Sequence, residues 1–165
     1  MSNANYYIEK LALQKHPEGG WFKEVYRSGE SIAIDALDNR FSGPRSISTS
    51  IYFLLKQGEF SAFHKIKSDE IWHFHDGEIL EIYSISPEGK LSVHKLGLNI
   101  AEGELPQINI PHGHYFAAKP KTDFTLVSCT VAPGFDFEDF ELPKKADIIQ
   151  LFPELSDIIE ELAML

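Results

Sequence analysis

The stretch GEFSAFHKIKSDEIWHFHDG, residues 58–77, contains three of the seven histidines of the chain and decides its predicted fold. Two runs of apolar and aromatic residues flank a turn signal at residues 67–69, a pattern that indicates a β-hairpin. Such a hairpin brings His64 and Glu70 together across the sheet. Glu70 has apolar neighbours along its strand, so its carboxylate is expected to be paired, bound to a cation, or protonated with a raised pKa.

The histidines of this stretch are not expected to converge on one point. Alternation along residues 69–77 places His73 and His75 on one face of their strand and Glu70 on the other, unless a bulge intervenes. Four potential metal ligands lie close together in the sequence, but the pattern does not bring all four together in space.

Short strands are predicted for most of the remaining chain. Runs of β-branched and aromatic residues recur between turn signals over residues 20–142, without helices between them. This spacing favours an all-β sandwich or barrel. Amphipathic spacing predicts a short helix within residues 1–16 and a helical tail over residues 144–165, interrupted at Pro153. We therefore expect one domain spanning residues 1–165.

Composition narrows the function classes. The chain has 165 residues, of which 43% are hydrophobic, and a formal net charge of −10 with a pI of about 5.1. No run of Lys or Arg offers the basic face that nucleic acids require, and nowhere do 18 apolar residues follow one another. We expect a cytoplasmic protein without nucleic-acid or membrane partners. Cys129 is the single cysteine, which excludes an intrachain disulfide, and its apolar surroundings predict an inert core thiol.

The hairpin stretch resembles the first conserved motif of the cupin superfamily. Gly58, His64, Glu70 and Gly77 fall in register with the pattern G-x5-H-x-H-x3–4-E-x6-G, in which Ile66 occupies the second histidine position. The resemblance implies two strands joined by a short turn at the mouth of a β-barrel.

A second stretch, IPHGHYFAAKP, resembles the other cupin motif with two departures. Phe116 occupies its histidine position and Pro120 its asparagine position. Metal-binding cupins use three histidines and one glutamate, so the resemblance implies that only half of this ligand set is present. His112 and His114 lie beside the missing position and are candidates to replace it.

Four further blocks, HPEGGWFKEVYRS, STSIYFLL, SDEIWHFHDG and CTVAPGFDFEDFEL, resemble a small family of single-domain, cupin 5-like proteins without an assigned activity. The resemblance covers nearly the whole chain. It implies a double-stranded β-helix, or jelly-roll barrel, with a ligand pocket in its mouth and frequent assembly as a homodimer.

The block WFKEVYRS supplies polar candidates for this pocket. Alternation places Glu24 and Tyr26 on one strand face, with Arg27 at its edge. Arg27 suits a carboxylate or phosphate ligand, and Tyr26 suits a proton donor. This strand resembles that of nucleotide-sugar epimerase cupins, which presents polar groups to substrate. The other predicted ligand contacts are Trp72, Phe74, His75, Gln107 and Phe116.

Three functions stay open at this level. The first is a metal-free isomerase or epimerase acting on a sugar-like or keto-acid ligand through His64, Glu70 and Tyr26. The second is an enzyme with one divalent transition metal (Fe, Mn, Ni or Zn) bound by His64, Glu70 and His75. The third is a non-catalytic module that binds a small metabolite.

Two remaining segments are expected to be structural. His16 precedes Pro17 at the end of the N-terminal helix and is predicted to serve packing. The acidic run DFEDFEL, residues 136–142, is predicted to clamp the barrel edge or a partner subunit rather than to bind a cation.

Overall fold

Twelve strands and three α-helices occur in residues 3–165, the part of the chain that the computed structural model describes. Residues 1 and 2, which belong to the predicted N-terminal helical segment, lie outside the described residues. The strands are β1 (Gln14–Lys15), β2 (Trp21–Arg27), β3 (Ser31–Ile32), β4 (Arg45–Ser46), β5 (Thr49–Lys56), β6 (Ser61–His64), β7 (Asp69–Gly77), β8 (Leu80–Ile85), β9 (Leu91–Leu96), β10 (Gln107–Ile110), β11 (Tyr115–Pro120) and β12 (Phe124–Ala132). The helices are α1 (Ala4–Lys10), α2 (Lys145–Leu151) and α3 (Ser156–Leu162).

The strands form an antiparallel barrel of two facing sheets. The larger sheet has the order β1-β2-β5-β12-β7-β10, and the smaller has the order β6-β11-β8-β9. A third, two-stranded sheet pairs β3 with β4. Consecutive strands β6 and β7 lie in different sheets, so the predicted hairpin is instead a corner at which the chain crosses the barrel.

The interior between the sheets is filled by aromatic and aliphatic side chains. Alternate residues of the strands point inward, so each strand contributes every second side chain to one core. Its largest fully buried members include Phe53, Trp72, Ile82, Leu96 and Phe116. Burying each such side chain contributes about 1.5–3 kcal/mol, which makes this core the main source of stability.

The helices cover the outer faces of the barrel. Helix α1 begins after Asn3, whose side chain accepts a hydrogen bond from Tyr6 N at 2.9 Å, and it packs on the larger sheet around Leu54 and Phe124. Helices α2 and α3 pack on the smaller sheet in an apolar cluster of their own. Between them, Pro153 starts a one-turn 3₁₀ helix, which explains the predicted interruption. Within residues 3–165, every helix is too short or too polar to span a membrane.

The chain crosses the end of the barrel between β1 and β2 by means of two glycines. Gly19 has φ 109° and Gly20 has φ 74°, and a Cβ on Gly19 would lie 2.1 Å from Phe60 O. A hydrogen bond from Ala62 N to Glu18 O, 2.8 Å long, holds the glycine segment against the start of β6. Only glycine fits this crossing. The crossing holds the segment against β6 and places Glu18 beside it.

A β-bulge in β2 decides which of its side chains face inward. The register shifts between Glu24, which pairs with Ile51, and Tyr26, which pairs with Ser50. The extra residue reverses the alternation, so Arg27 joins Glu24 on the inner face and Tyr26 points outward, 54% exposed. The predicted placement of Glu24 and Tyr26 on one face is therefore wrong.

Replacing Gly19 with alanine should cost far more stability than the same change at Gly58. Both glycines have positive φ, but a Cβ on Gly58 would meet no atom within 4 Å. We expect Gly58→Ala to lower the free energy of unfolding by about 1–2 kcal/mol through backbone strain alone. Gly19→Ala should lose a further 1–3 kcal/mol or so through overlap with Phe60 O. Urea denaturation of both variants measures the two losses of stability. Equal losses would contradict the claim that a side chain at residue 19 overlaps Phe60 O.

Candidate functional site

A cavity of about 240 Å³ opens at the end of the barrel, among β2, β5, β6, β7 and β12. The segments before β2 and after β12 complete its wall. Its ionisable lining comprises His16, Glu18, Glu24, Arg27, His64, Glu70, Cys129 and Asp136. The remaining wall is mainly apolar, which keeps these groups in poorly solvated surroundings.

His64 lies at the bottom of the cavity with its ring orientation fixed. Its Nδ1 is 2.7 Å from Ala62 O, which can only accept, so Nδ1 carries a proton. Its Nε2 lies 3.2 Å from Glu18 Oε2. A neutral ring has no proton on Nε2, so the contact requires one proton, held by either Glu18 or His64. We call these two residues the Glu18–His64 dyad.

Glu18 is held in this position from two further sides. Ser61 Oγ donates to Glu18 Oε1 at 2.8 Å, and Glu18 N donates to His16 Nδ1 at 3.3 Å, which fixes the backbone of Glu18. The carboxyl group is buried, which raises the pKa of Glu18. Burial also lowers the pKa of His64 and of His16. These opposite shifts move the proton affinities of the acid and the base of the dyad towards each other.

Glu70 is a second carboxyl group at the bottom of the cavity. Its side chain is only 7% exposed, and burial raises its pKa to about 7, although the charge of His64 opposes the shift. Glu18 adds to the shift through like-charge repulsion. The Cys129 thiol hydrogen-bonds Glu70, and burial raises the pKa of Cys129 well above its usual range. Cys129 therefore lies in the core, as expected, and acts as a donor rather than as a thiolate.

The mouth of the cavity carries an ion pair. Arg27 donates from Nε and Nη2 to the two carboxylate oxygens of Glu24 at 3.0 and 2.8 Å, and Nη2 also reaches Phe135 O at 3.0 Å. The Glu24 hydrogen bonds, with a smaller contribution from Asp136, raise the pKa of Arg27. The guanidinium is thus already engaged by groups of the protein.

An aromatic wall closes one side of the cavity. The rings of Phe135, Phe137 and Phe140 meet edge to face, with centroids 5.0 to 6.1 Å apart. Residues 135–140, the aromatic segment, are anchored by a buried bidentate ion pair in which Arg45 Nε and Nη2 lie 2.6 and 2.7 Å from the Asp139 carboxylate. The acidic run thus clamps the barrel edge through Asp139, while Asp136 lines the cavity.

Four of the residues predicted from the sequence meet at this cavity. They are His64, Glu70, Glu24 and Arg27. Three other predicted contacts, Trp72, Phe74 and Phe116, belong to the core instead. Trp72 and Phe116 are each 1% exposed. Phe116 forms the support of the site, since its ring centroid is 4.1 Å from that of His64. Phe74 packs against the same core.

Three predicted contacts point away from the cavity. Tyr26 lies outside because of the β2 bulge, and Gln107 is exposed on β10 opposite His73. His75 is the extra residue of a second bulge, in β7, and its Nε2 lies 2.9 Å from Ser128 Oγ on the outer face. The structure therefore does not bring His75 to Glu70.

Sequence reasoning missed three ionisable residues of the site, His16, Glu18 and Asp136. His16 lies among phenylalanine rings, 4.5 Å from the Phe22 centroid, as well as beside Glu18. The usable signal for His16 and Glu18 was the HPEGGW block itself, since two consecutive glycines after a carboxylate indicate a close approach of the backbone.

The residues of the cavity do not fit a metal ion. Ile66 and Phe116, buried at 4% and 1% exposure, fill the positions of two cupin ligands. Nδ1 of His64 is used by Ala62 O, while Nε2 is directed at Glu18. In the described chain, no group of three or more His, Cys, Asp or Glu side chains is arranged to hold a metal ion. The metal-dependent hypothesis thus has no complete ligand set.

A jelly-roll barrel of two antiparallel sheets with a ligand-sized cavity at one end is the architecture of a cupin. The chain belongs to the Cupin_5 family of the cupin superfamily (DUF985), whose model matches residues 5–143. The predicted family and fold are confirmed.

Two solved structures of related proteins share this fold over nearly their full length. The structure of protein SO0799 from Shewanella oneidensis is 42% identical, with 99% of each chain covered and a TM-score of 0.89. A hypothetical protein from Leishmania major is 30% identical, with coverage of 99% and 100% and a TM-score of 0.90. The uncharacterized protein YML079W of Saccharomyces cerevisiae is 33% identical over 88% of this chain and 78% of its own. The predicted homodimer and cytoplasmic location stay predictions.

The raised pKa of Glu70 predicts a pH-dependent stability. Between pH 4.5 and about 7 the folded state binds this proton more tightly than the unfolded state. The contribution of Glu70 is therefore full below pH 4.5 and is lost as pH rises through about 7, by on the order of 3 kcal/mol. Glu70→Gln removes this titration. The free energy of unfolding of the variant relative to wild type should therefore rise by on the order of 3 kcal/mol between about pH 5 and about pH 8.

Urea denaturation at both pH values measures the change, and subtracting the wild-type profile cancels the titration of groups that do not interact with Glu70. Glu9→Gln, made on the exposed surface of α1, is the matched control. A difference between Glu70→Gln and wild type that is constant with pH would contradict the raised pKa.

Proposed function

We propose that the cavity catalyses metal-free proton transfer on a small molecule, as an isomerase or epimerase does. The observation that carries the proposal is the placement of the Glu18–His64 dyad beside Glu70, with a pKa of about 7, in one buried cavity. Efficient acid–base catalysis needs groups whose proton affinities lie near the operating pH. Groups of different ionisation state in one site mark the acid and base partners.

The dyad serves as the base of the proposed reaction. It holds one proton in its resting state and has room for a second, since protonated Glu18 and protonated His64 each bind one. Ser61 and Ala62 O fix the two side chains, so little reorganisation is needed when the proton arrives. The ligand carbon that loses the proton would lie against this dyad.

Glu70 serves as the proton donor. With a pKa of about 7 a large fraction of its carboxyl groups carries a proton at neutral pH. This role was predicted for Tyr26, but that side chain lies outside the cavity and is 54% exposed. Glu70 replaces it because it is the other proton-bearing group that reaches the same enclosed space.

The charges of the cavity favour a sugar-like ligand over a keto acid. A keto acid carries a carboxylate, and the guanidinium that would bind it, that of Arg27, is occupied by Glu24 and Phe135 O. The carboxyl groups at the bottom of the cavity would repel such an anion. Hydroxyl groups, in contrast, can donate to these carboxyl groups.

The proposal predicts hydrogen exchange at a ligand carbon. In D₂O the protein should introduce one deuterium into at least one compound of a panel of sugars, sugar nucleotides and keto acids, read by mass spectrometry. His64→Asn retains a donor for Ala62 O but lacks Nε2, and should slow exchange by about 10²-fold or more. Tyr26→Phe is the matched control and should exchange at the wild-type rate.

Two results would count against proton transfer. A compound that binds in the cavity and is recovered without deuterium would favour the non-catalytic binding module. Loss of exchange in Tyr26→Phe, with retention in His64→Asn, would contradict proton transfer by Glu70 and the Glu18–His64 dyad.

A further inference from the structure

We infer that the ligand of this cavity carries an ammonium group, held among carboxylates and phenylalanine rings. The inference rests on the proposed function in that it concerns the ligand of the same site. It adds the charge of that ligand, which binding measurements test without any assay of activity.

The ionisable lining is unbalanced towards negative charge. Four carboxyl groups line the cavity, on Glu18, Glu24, Glu70 and Asp136. Among residues 3–165, Arg27 is the only guanidinium or ammonium group that lines it, and Glu24 already binds this group through both oxygens. At the mouth, Asp136 lies in the fields of Arg27 and Arg45, but each of these guanidinium groups already forms a bidentate ion pair, with Glu24 and with Asp139.

Glu70 adds a second, independent observation at the bottom of the cavity. Only 7% of Glu70 is exposed, and the residue lines the cavity directly. Within the described chain its one hydrogen-bond donor is the Cys129 thiol, which is weak. A buried carboxylate is normally paired with a positive charge, so a cationic ligand would supply the charge that offsets ionised Glu70.

The apolar part of the wall suits an organic cation. Phe22 and the three phenylalanines of the aromatic segment line the cavity. Aromatic faces attract alkylammonium groups, because the ring quadrupole is negative above the ring plane. Phe137 is 56% exposed at the mouth, so packing in the core does not explain its position. A metal ion would need a ligand cluster, and residues 3–165 contain none.

The size of the cavity limits the cation. Pockets for drug-sized ligands occupy roughly 300–1,000 Å³, whereas this cavity has about 240 Å³. A compound with one ammonium group and a few carbon and oxygen atoms fits both this volume and the lining.

Choline and its uncharged carbon isostere, 3,3-dimethylbutan-1-ol, form a matched pair of probes. They have the same shape and hydroxyl group and differ in charge alone. Titration calorimetry of the wild-type protein near pH 8 should give choline at least about tenfold higher affinity than the alcohol. Equal affinities, or a choline Kd above roughly 10 mM, would overturn the inference.

Two variants locate the cation. Asp136→Asn removes the charge but retains the acceptor for Glu138 N, a contact of 2.9 Å, and should weaken choline binding about fivefold while leaving the alcohol unchanged. Phe137→Leu, at an exposed ring, should weaken choline more than the alcohol. Asp123→Asn, at the opposite end of β12 from the cavity, is the control and should retain wild-type affinity.

The outcomes separate this inference from the proposed function. A charge preference that Asp136→Asn reduces about fivefold, without deuterium exchange in any bound compound, supports the ammonium site and counts against proton transfer. A preference for choline that neither Asp136→Asn nor Phe137→Leu reduces places the cation elsewhere and overturns the inference.

Discussion

The contact between Glu18 and His64 is the constraint on which the site depends. It joins side chains 46 positions apart in the sequence and is made by the glycine crossing at Gly19, where any side chain would overlap Phe60 O. The crossing lays residues 16–20 over the barrel end and puts the carboxyl group of Glu18 3.2 Å from Nε2 of His64. Backbone geometry at one glycine thereby sets the chemistry of the cavity.

The replacement of two cupin ligand positions by hydrocarbon side chains acts in the same direction. Ile66 and Phe116 offer no metal-ligand atoms, and the ring of Phe116 packs on His64 at 4.1 Å between centroids. In such surroundings each isolated charge is costly, which is why the pKa of Glu70 and of Glu18 rises while that of His64 falls. A bound metal would offset these charges, whereas here protons do so.

The sequence predicted the features that depend on local pattern and on register. Motif spacing predicted that His64 and Glu70 belong to the site, and the repeated short strands predicted the barrel. The orientation of Tyr26 and His75 could not be predicted, because each strand contains one extra residue and period-two alternation assumes none. Glu18 reaches the site through a tertiary crossing, which no local pattern encodes.

The proposed charge of the ligand and the proposed proton transfer are linked through Glu70. An ammonium group in the cavity would favour the ionised carboxylate and so lower the pKa of Glu70 from its value of about 7. Glu70 would then accept a proton, and the singly protonated Glu18–His64 dyad would return one. An isomerase runs in both directions, so its two groups exchange roles in any case. The buried site therefore supports proton transfer with either assignment, and the ligand selects between them.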